Sequence, residues 1–106
     1  MFVLMRCLHR PGQDAARDTH RPAHRAWVGS GGEGRVSVLI GSALLGPDGA
    51  SVGNFGVLEA PDLATARAFA EGDPFHKAGI VAQIDLTPLP DTFQADRIAN
   101  PMSPRL

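Results

Sequence analysis

Histidine and aspartate are the residues of this sequence best suited to chemistry that moves protons. His24 lies in a segment rich in alanine and arginine, and along a continuous helix it falls on one stripe with Arg17 and Arg21. The neighbouring apolar stripe, which would face a sheet, consists of Ala16, Ala23 and Trp27. His24 would then lie at the edge of the core. There it acts either as a general base or as a partly exposed histidine that packs against Trp27.

Pro22 offers a second geometry for the same segment. Inside a helix, proline removes a hydrogen bond and costs about 3 kcal/mol, and it pushes the preceding residue toward extended conformations. We therefore expect a kink or a restart near Arg21, with Pro22 close to the first turn of the main helical segment. His24 would then lie where the positive end of the helix dipole favours a neutral ring. Either geometry suits a general base.

Asp73 stands before Pro74 in the segment DPFHKAG. Aspartate is a good N-cap and proline is tolerated at the first helical position, so a short helix explains this pair without any chemistry. A capping carboxylate can also use its second oxygen to orient an imidazole, as the third member of a catalytic triad does. Asp73 is therefore either a cap alone or a cap that also positions a histidine, and the spacing does not join it to His24.

The histidines also permit a metal hypothesis. His20 and His24 are one helical turn apart, and His76, Cys7 or Asp73 would complete a tetrahedral set. The sequence contains neither a Cys-x-x-Cys nor a His-Glu-x-x-His spacing, so we expect no metal site. Cys7 lies in an apolar segment, where a thiol is usually an inert small hydrophobe and not a nucleophile.

The elements that must position these residues follow from hydrophobic periodicity and from glycine and proline breaks. We predict, in order, a strand over 2–9, a helix over 14–30, a hairpin of strands over 35–44 and 53–60, a helix from Asp62 to Gly72, a one-turn element from Asp73 to Gly79, and a strand over 80–87. This is the β-α-β-β-α-β order of ferredoxin-like α+β folds, with both helices on one face of an antiparallel sheet. Because the strands are apolar on both sides, we expect a homodimer that buries sheet against sheet.

Composition limits the possible classes of protein. A chain of 106 residues has room for one core, and its net charge of −1 argues against nucleic acid as a partner. A single cysteine excludes an intrachain disulfide, and no apolar stretch approaches the ~20 residues of a membrane span, so we expect a cytoplasmic protein without a membrane partner. Residues 1–35 nevertheless carry six arginines against three acidic residues. This excess is either a solvated helix face or a pocket for a small anion.

Three segments resemble the YCII-related (YciI-like) family: RPAHRAW at 21–27, GSALLGPDGASVG at 41–53 and DPFHKAG at 73–79. The resemblance covers roughly residues 1–88 and implies a ferredoxin-like subunit that dimerises into an α+β barrel. It also implies a His-Asp dyad in a cleft, which His24 and Asp73 match. One relative in the family is a dehydrochlorinase of a chlorinated hydroxyquinol. Two features depart from the family: the GSGGEG insertion and an extended C-terminal tail over 89–106.

On this resemblance, our leading hypothesis is a cofactor-free lyase or hydrolase in which His24 abstracts or shuttles a proton and Asp73 orients the imidazole. We assign Arg21 and Phe75 to binding of the substrate, a small anion or phenol. The alternative is a non-catalytic module that captures a metabolite in the same cleft. A third possibility, oxygenase or isomerase chemistry without a cofactor, rests on fold analogy alone.

Overall fold

A four-stranded antiparallel sheet forms the centre of the computed structural model, which describes residues 1–106. The elements are β1 (Phe2–His9), α1 (Asp14–Gly29), α2 (Gly31–Gly34), β2 (Ser37–Leu45), β3 (Ser51–Glu59), α3 (Leu63–Gly72), α4 (Pro74–Lys77), β4 (Val81–Leu89) and a 3₁₀ turn (Ala95–Arg97). The strand order is β2-β3-β1-β4. The predicted ferredoxin-like α+β fold is confirmed, with α2 and α4 as single turns added to the two main helices. None of these helices combines the length and the apolar character that a membrane span requires.

The main core lies between the helices and one face of the sheet. Val3, Met5 and Cys7 alternate along β1 and are buried against α3 and α4, whose main core residues are Phe69 and Phe75. Alternation places these three side chains on the same side of the strand, as the two-residue period of a strand requires. We call this the helical face of the sheet and the opposite side the outer face.

Helix α1 continues through Pro22, so the predicted restart of the helix at this residue is wrong. The helix keeps Pro22 in its interior at an exposed position, where the loss of one backbone hydrogen bond does not leave a buried group unpaired. His24 therefore lies in the third turn of one continuous helix, away from the helix start where the dipole would favour a neutral ring. Of the predicted apolar stripe, Ala16 and Trp27 pack against the core, whereas Ala23 is exposed.

Helix α1 ends at Gly29, where the sequence predicted a glycine stop, and the chain then makes a left-handed turn. Gly31 and Gly32 have φ values of +62° and +64°, a region that glycine adopts without steric cost. At Gly32 a Cβ atom would lie 2.7 Å from Phe69 Cδ1 and 2.9 Å from Trp27 Cζ2. Glycine at this position therefore lets the turn approach the Trp27–Phe69 pair, whose ring centroids are 5.9 Å apart.

Residues after β4 cross the outer face of the sheet. Phe93, Ala95 and Ile98 pack in a second apolar cluster with residues of all four strands: Phe2, Leu39, Val57 and Leu89. The chain then reaches the edge of β2, where the backbone N–H groups of Met102 and Ser103 donate to Val38 O at 2.9 and 3.2 Å. The tail thus covers part of the outer face and part of an open sheet edge.

Replacing Ser103 by alanine is expected to destabilise the fold by about 1–3 kcal/mol, because Ser103 Oγ accepts a hydrogen bond from Val38 N at 2.7 Å in a buried position. The substitution leaves a buried N–H group without a partner. Urea unfolding followed by circular dichroism measures the change. Ser42→Ala is the matched control, because the Ser42 hydroxyl is exposed and bonds only the adjacent carbonyl of Ala43. Equal stability of both variants would contradict the docking of the tail.

Candidate active site

The structure brings His24 and Asp73 into direct contact. His24 Nδ1 lies 2.9 Å from Asp73 Oδ1 and 2.8 Å from Asp73 Oδ2, so one N–H group is shared by both carboxylate oxygens. The two side chains are 16% and 10% exposed. A short hydrogen bond between two mostly buried side chains fixes both the position of the imidazole ring and the nitrogen that carries the proton.

The local sequence explains how Asp73 reaches this position. Asp73 is the N-cap of α4, and its Oδ1 accepts a hydrogen bond from the backbone N–H of Phe75 at 2.8 Å. Pro74 occupies the first helical position, as the sequence predicted. The cap holds the carboxylate rigidly while both oxygens still face His24. Capping and orientation are therefore two functions of the same group.

The second ring nitrogen of His24 is left free for chemistry. Because a carboxylate only accepts hydrogen bonds, Nδ1 carries the proton in the neutral ring and Nε2 keeps its lone pair. The ring stacks on Phe75 with centroids 4.1 Å apart and planes 2° from parallel. Phe75 is thus the surface against which the imidazole is held. Its predicted role in substrate binding stays a prediction.

An open cleft of about 450 Å³ adjoins this pair, a volume typical of sites for small molecules. Its walls come from β1, from α1, from β2 and β3, and from Phe69, Asp73 and Phe75. Met102 of the C-terminal tail also lines it, so the tail that crosses the outer face contributes to this cleft as well.

The cleft is lined by three arginines of α1: Arg17, Arg21 and Arg25. Part of the excess of arginine in residues 1–35 therefore faces a pocket. Arg21 Nη1 donates to Asp18 Oδ1 at 2.6 Å, and the Arg21 side chain lies at the rim. Arg17 differs from both neighbours, because only 5% of it is exposed. The stripe of Arg17, Arg21 and His24 predicted for a continuous helix therefore matches the cleft wall.

Sequence reasoning gave no role to three polar residues of the cleft. Arg17 donates to His9 Nδ1 at 3.2 Å, and His9 Nε2 lies 2.8 Å from Asn54 Oδ1. The available signals were the helical spacing of Arg17 from His24 and an asparagine inside a predicted strand, where asparagine is disfavoured. Neither signal predicts that His9, at the end of β1, lies between Arg17 and Asn54.

Stability is expected to fall as the pH drops below about 6.5, because burial lowers the pKa of His9 below its ordinary value of 6.5. Charges on Arg17 and His24 act in the same direction, and the hydrogen bond to Asn54 and the charge of Asp73 oppose it. The unfolded chain then binds a proton at His9 that the folded chain does not, so acid favours unfolding. Urea unfolding at pH 7 and pH 5.5 measures this loss. His9→Gln should show a smaller loss, and an equal loss would contradict the assignment.

The Cys7 thiol is not suited to act as a nucleophile. Burial raises the pKa of the Cys7 thiol to about 12, with smaller contributions from the charges of Asp73 and Asp85. The thiol is therefore protonated and unreactive near neutral pH, as its place in a strand predicted.

No three histidine, cysteine, aspartate or glutamate side chains lie close enough together to hold a metal ion, so the ligand set considered around His20 and His24 does not assemble.

Fold and site together define a ferredoxin-like α+β protein with a His-Asp pair in an open cleft. A family model described as the YCII-related domain matches residues 1–90, so the chain belongs to the YCII-related family. No match is found among the curated proteins. Among solved structures, the chain is similar to 5-chloro-2-hydroxyhydroquinone dehydrochlorinase (TftG) from Burkholderia phenoliruptrix in complex with 2,5-dihydroxybenzoquinone. The TM-score is 0.72 at 27% identity, over 85% of this chain and 94% of that chain.

Proposed function

We propose that this protein is a cofactor-free enzyme that moves a proton on a small phenolic or anionic ring, with dehydrochlorination as the reaction to test first. His24 is the base or proton shuttle, and Asp73 orients it. The observation that carries the proposal is the hydrogen bond from His24 Nδ1 to both oxygens of Asp73, which leaves Nε2 as an acceptor beside the cleft.

The similarity to the dehydrochlorinase supports the choice of reaction, because that protein acts on a chlorinated ring that carries hydroxyl groups. Such a ring matches the apolar and polar walls of the cleft described above. Arg21 and Arg25 lie where they would attract an anionic oxygen of the substrate toward α1. We keep Arg21 as a proposed binding residue, together with Phe75 beneath the His24 ring.

The proposed reaction balances without an external oxidant. One ring hydroxyl gives its proton to His24 Nε2, and the proton of a second hydroxyl is transferred to the carbon that carries chlorine. Electrons of the ring then expel chloride, and a hydroxyquinone remains. Hydrogen chloride is the only group lost, so the step needs a positioned base and no electron carrier.

Chloride release from 5-chloro-2-hydroxyhydroquinone, followed with purified protein, tests this proposal. A panel of chlorinated catechols, hydroquinones and lactones defines the substrate range. The expected result is turnover of at least one member, at a rate that His24→Ala lowers by about 10²–10⁴-fold. Binding of the panel without chloride release from any member would instead support the alternative, a module that captures a metabolite.

We further propose that the protein is a homodimer that uses the part of the outer face left open by the tail. Leu4 and Ile40 are 36% and 41% exposed there, and Leu4 lines a groove together with Phe55 and the Arg6–Asp85 ion pair. Exposed apolar side chains grouped on a sheet face are typical of a contact with another protein surface. Packing of two such faces would give the α+β barrel expected from the family resemblance.

Light scattering after gel filtration tests the dimer. Wild-type protein is expected to elute as a dimer, and Leu4→Lys is expected to elute as a monomer because the ammonium group would be buried in the interface. Leu63→Lys is the matched control, since Leu63 is 39% exposed on α3, on the opposite side of the sheet. A wild-type monomer at micromolar concentration would overturn this part of the proposal.

A further inference from the structure

The cleft contains a second polar group, formed by Arg17, His9 and Asn54, that the proposed proton transfer does not use. Arg17 is almost fully buried, and its guanidinium also donates to Ser51 O at 3.3 Å and to the carboxylate of Asp14. His9 touches the edge of Phe75, with centroids 5.7 Å apart and planes at 86°. Because Phe75 stacks on His24, this second group lies one aromatic ring away from the dyad.

The hydrogen-bond direction along this group is fixed at its buried end. A guanidinium has only donors, so His9 Nδ1 must accept from Arg17 Nη1. The His9 proton then resides on Nε2, and Nε2–H donates to Asn54 Oδ1 at 2.8 Å. The carbonyl of the Asn54 amide is therefore turned toward His9. The amide nitrogen occupies the other branch of the side chain.

Asn54 Nδ2 makes no hydrogen bond within the protein, although Asn54 lines the cleft. Asn54 is half-buried and Nδ2 is not among the buried polar atoms that lack a partner, so its two N–H groups are accessible donors that a ligand in the cleft can use. We propose that Asn54 Nδ2 binds an oxygen of the ring whose proton His24 removes, and that Arg17 and His9 are positioning residues that hold the amide in this orientation. The ligand class is a small ring with a carbonyl, phenolate or carboxylate oxygen.

The inference rests on the proposed function for its choice of ligand, but its test measures binding and not turnover. The probe is 2,5-dihydroxybenzoquinone, and calorimetric titration of the full chain measures its affinity. Asn54→Asp is expected to weaken binding at least about tenfold, because a carboxylate presents oxygen acceptors in both branches and repels the oxygen of the probe. Asn100→Asp adds the same charge at an exposed asparagine outside the cleft and is expected to bind like the wild type.

Two further variants separate binding from positioning. Asn54→Ala, which adds no charge, is expected to weaken binding about tenfold and gives a result if the aspartate variant does not fold. His9→Leu removes the hydrogen-bond partner of Asn54 Oδ1 and is also expected to weaken binding. His9→Gln should restore it, because a glutamine amide can accept from Arg17 and donate to Asn54. A merely structural role of His9 predicts no such rescue.

The outcomes separate this inference from the proposed function. Wild-type affinity in both Asn54→Asp and Asn54→Ala overturns the Asn54 site, and chloride release can still occur. Binding that depends on Asn54 without turnover of any substrate supports the site and overturns the proposed enzyme. A wild-type protein that does not bind the probe also overturns the Asn54 site.

Discussion

Replacing Asp73 by asparagine is expected to lower turnover by about 10³–10⁴-fold while the fold is kept, by analogy with the loss of the orienting aspartate in a catalytic triad. The backbone N–H of Phe75 requires an acceptor, so the carbonyl oxygen of the new amide takes the place of Oδ1. The NH₂ group then takes the place of Oδ2, 2.8 Å from His24 Nδ1. Nδ1 must accept, the proton moves to Nε2, and His24 loses its free lone pair toward the cleft.

Asparagine is as good an N-cap as aspartate, so stability should change little in this variant. Asp62→Asn is the matched control: Asp62 caps α3 by accepting from Thr65 N at 2.7 Å and does not line the cleft. Its turnover is expected to equal that of the wild type. By contrast, Asp73→Ala should lose turnover and about 1 kcal/mol of stability, because it also removes the cap. Full activity of Asp73→Asn would show that Asp73 is only a cap.

Removal of the imidazole has the second large expected effect. His24→Ala and His24→Gln are expected to lower the rate of chloride release by about 10²–10⁴-fold, the usual contribution of a positioned general base. Affinity for the quinone probe should be largely kept, because the base acts on the transition state and other groups hold the ring. Measured kcat and Kd separate these two effects.

His20→Ala serves as the control for the His24 variants. His20 lies one turn earlier on α1 and does not line the cleft, so its removal should leave kcat and Kd unchanged. If His24→Ala turns over substrate like the wild type, His24 is not the base.

Much of the fold could be predicted because local signals agree with the tertiary structure. Asp62 and Asp73 cap helices where their sequence context placed them, and Gly29 ends α1. Pro22 is the instructive exception: the propensity rule predicts a break, but packing of Trp27 and Val28 against the core stabilises a continuous helix. The path of the tail could not be predicted either, because Ser103 and its hydrogen-bond partner Val38 are 65 residues apart along the chain.

The site was predictable only in part. His24 and Asp73 are 49 residues apart, and no local rule joins them, so the family resemblance supplied the pair and the structure supplied its distance. Asn54 shows the limit more clearly, because its role depends on strand pairing that places it opposite Cys7 and on a buried arginine that sets its orientation. Such chains of hydrogen bonds depend on three-dimensional packing, and the sequence contains only weak signals of them.

The position of the proton on the His24 ring tests the central claim most directly. Long-range ¹H–¹⁵N spectra at neutral pH distinguish a proton on Nδ1 from one on Nε2. The wild-type protein is predicted to carry it on Nδ1, bonded to Asp73, and the Asp73→Asn variant is predicted to carry it on Nε2. A wild-type ring with its proton on Nε2 would contradict the account, because no free lone pair would then remain beside the cleft.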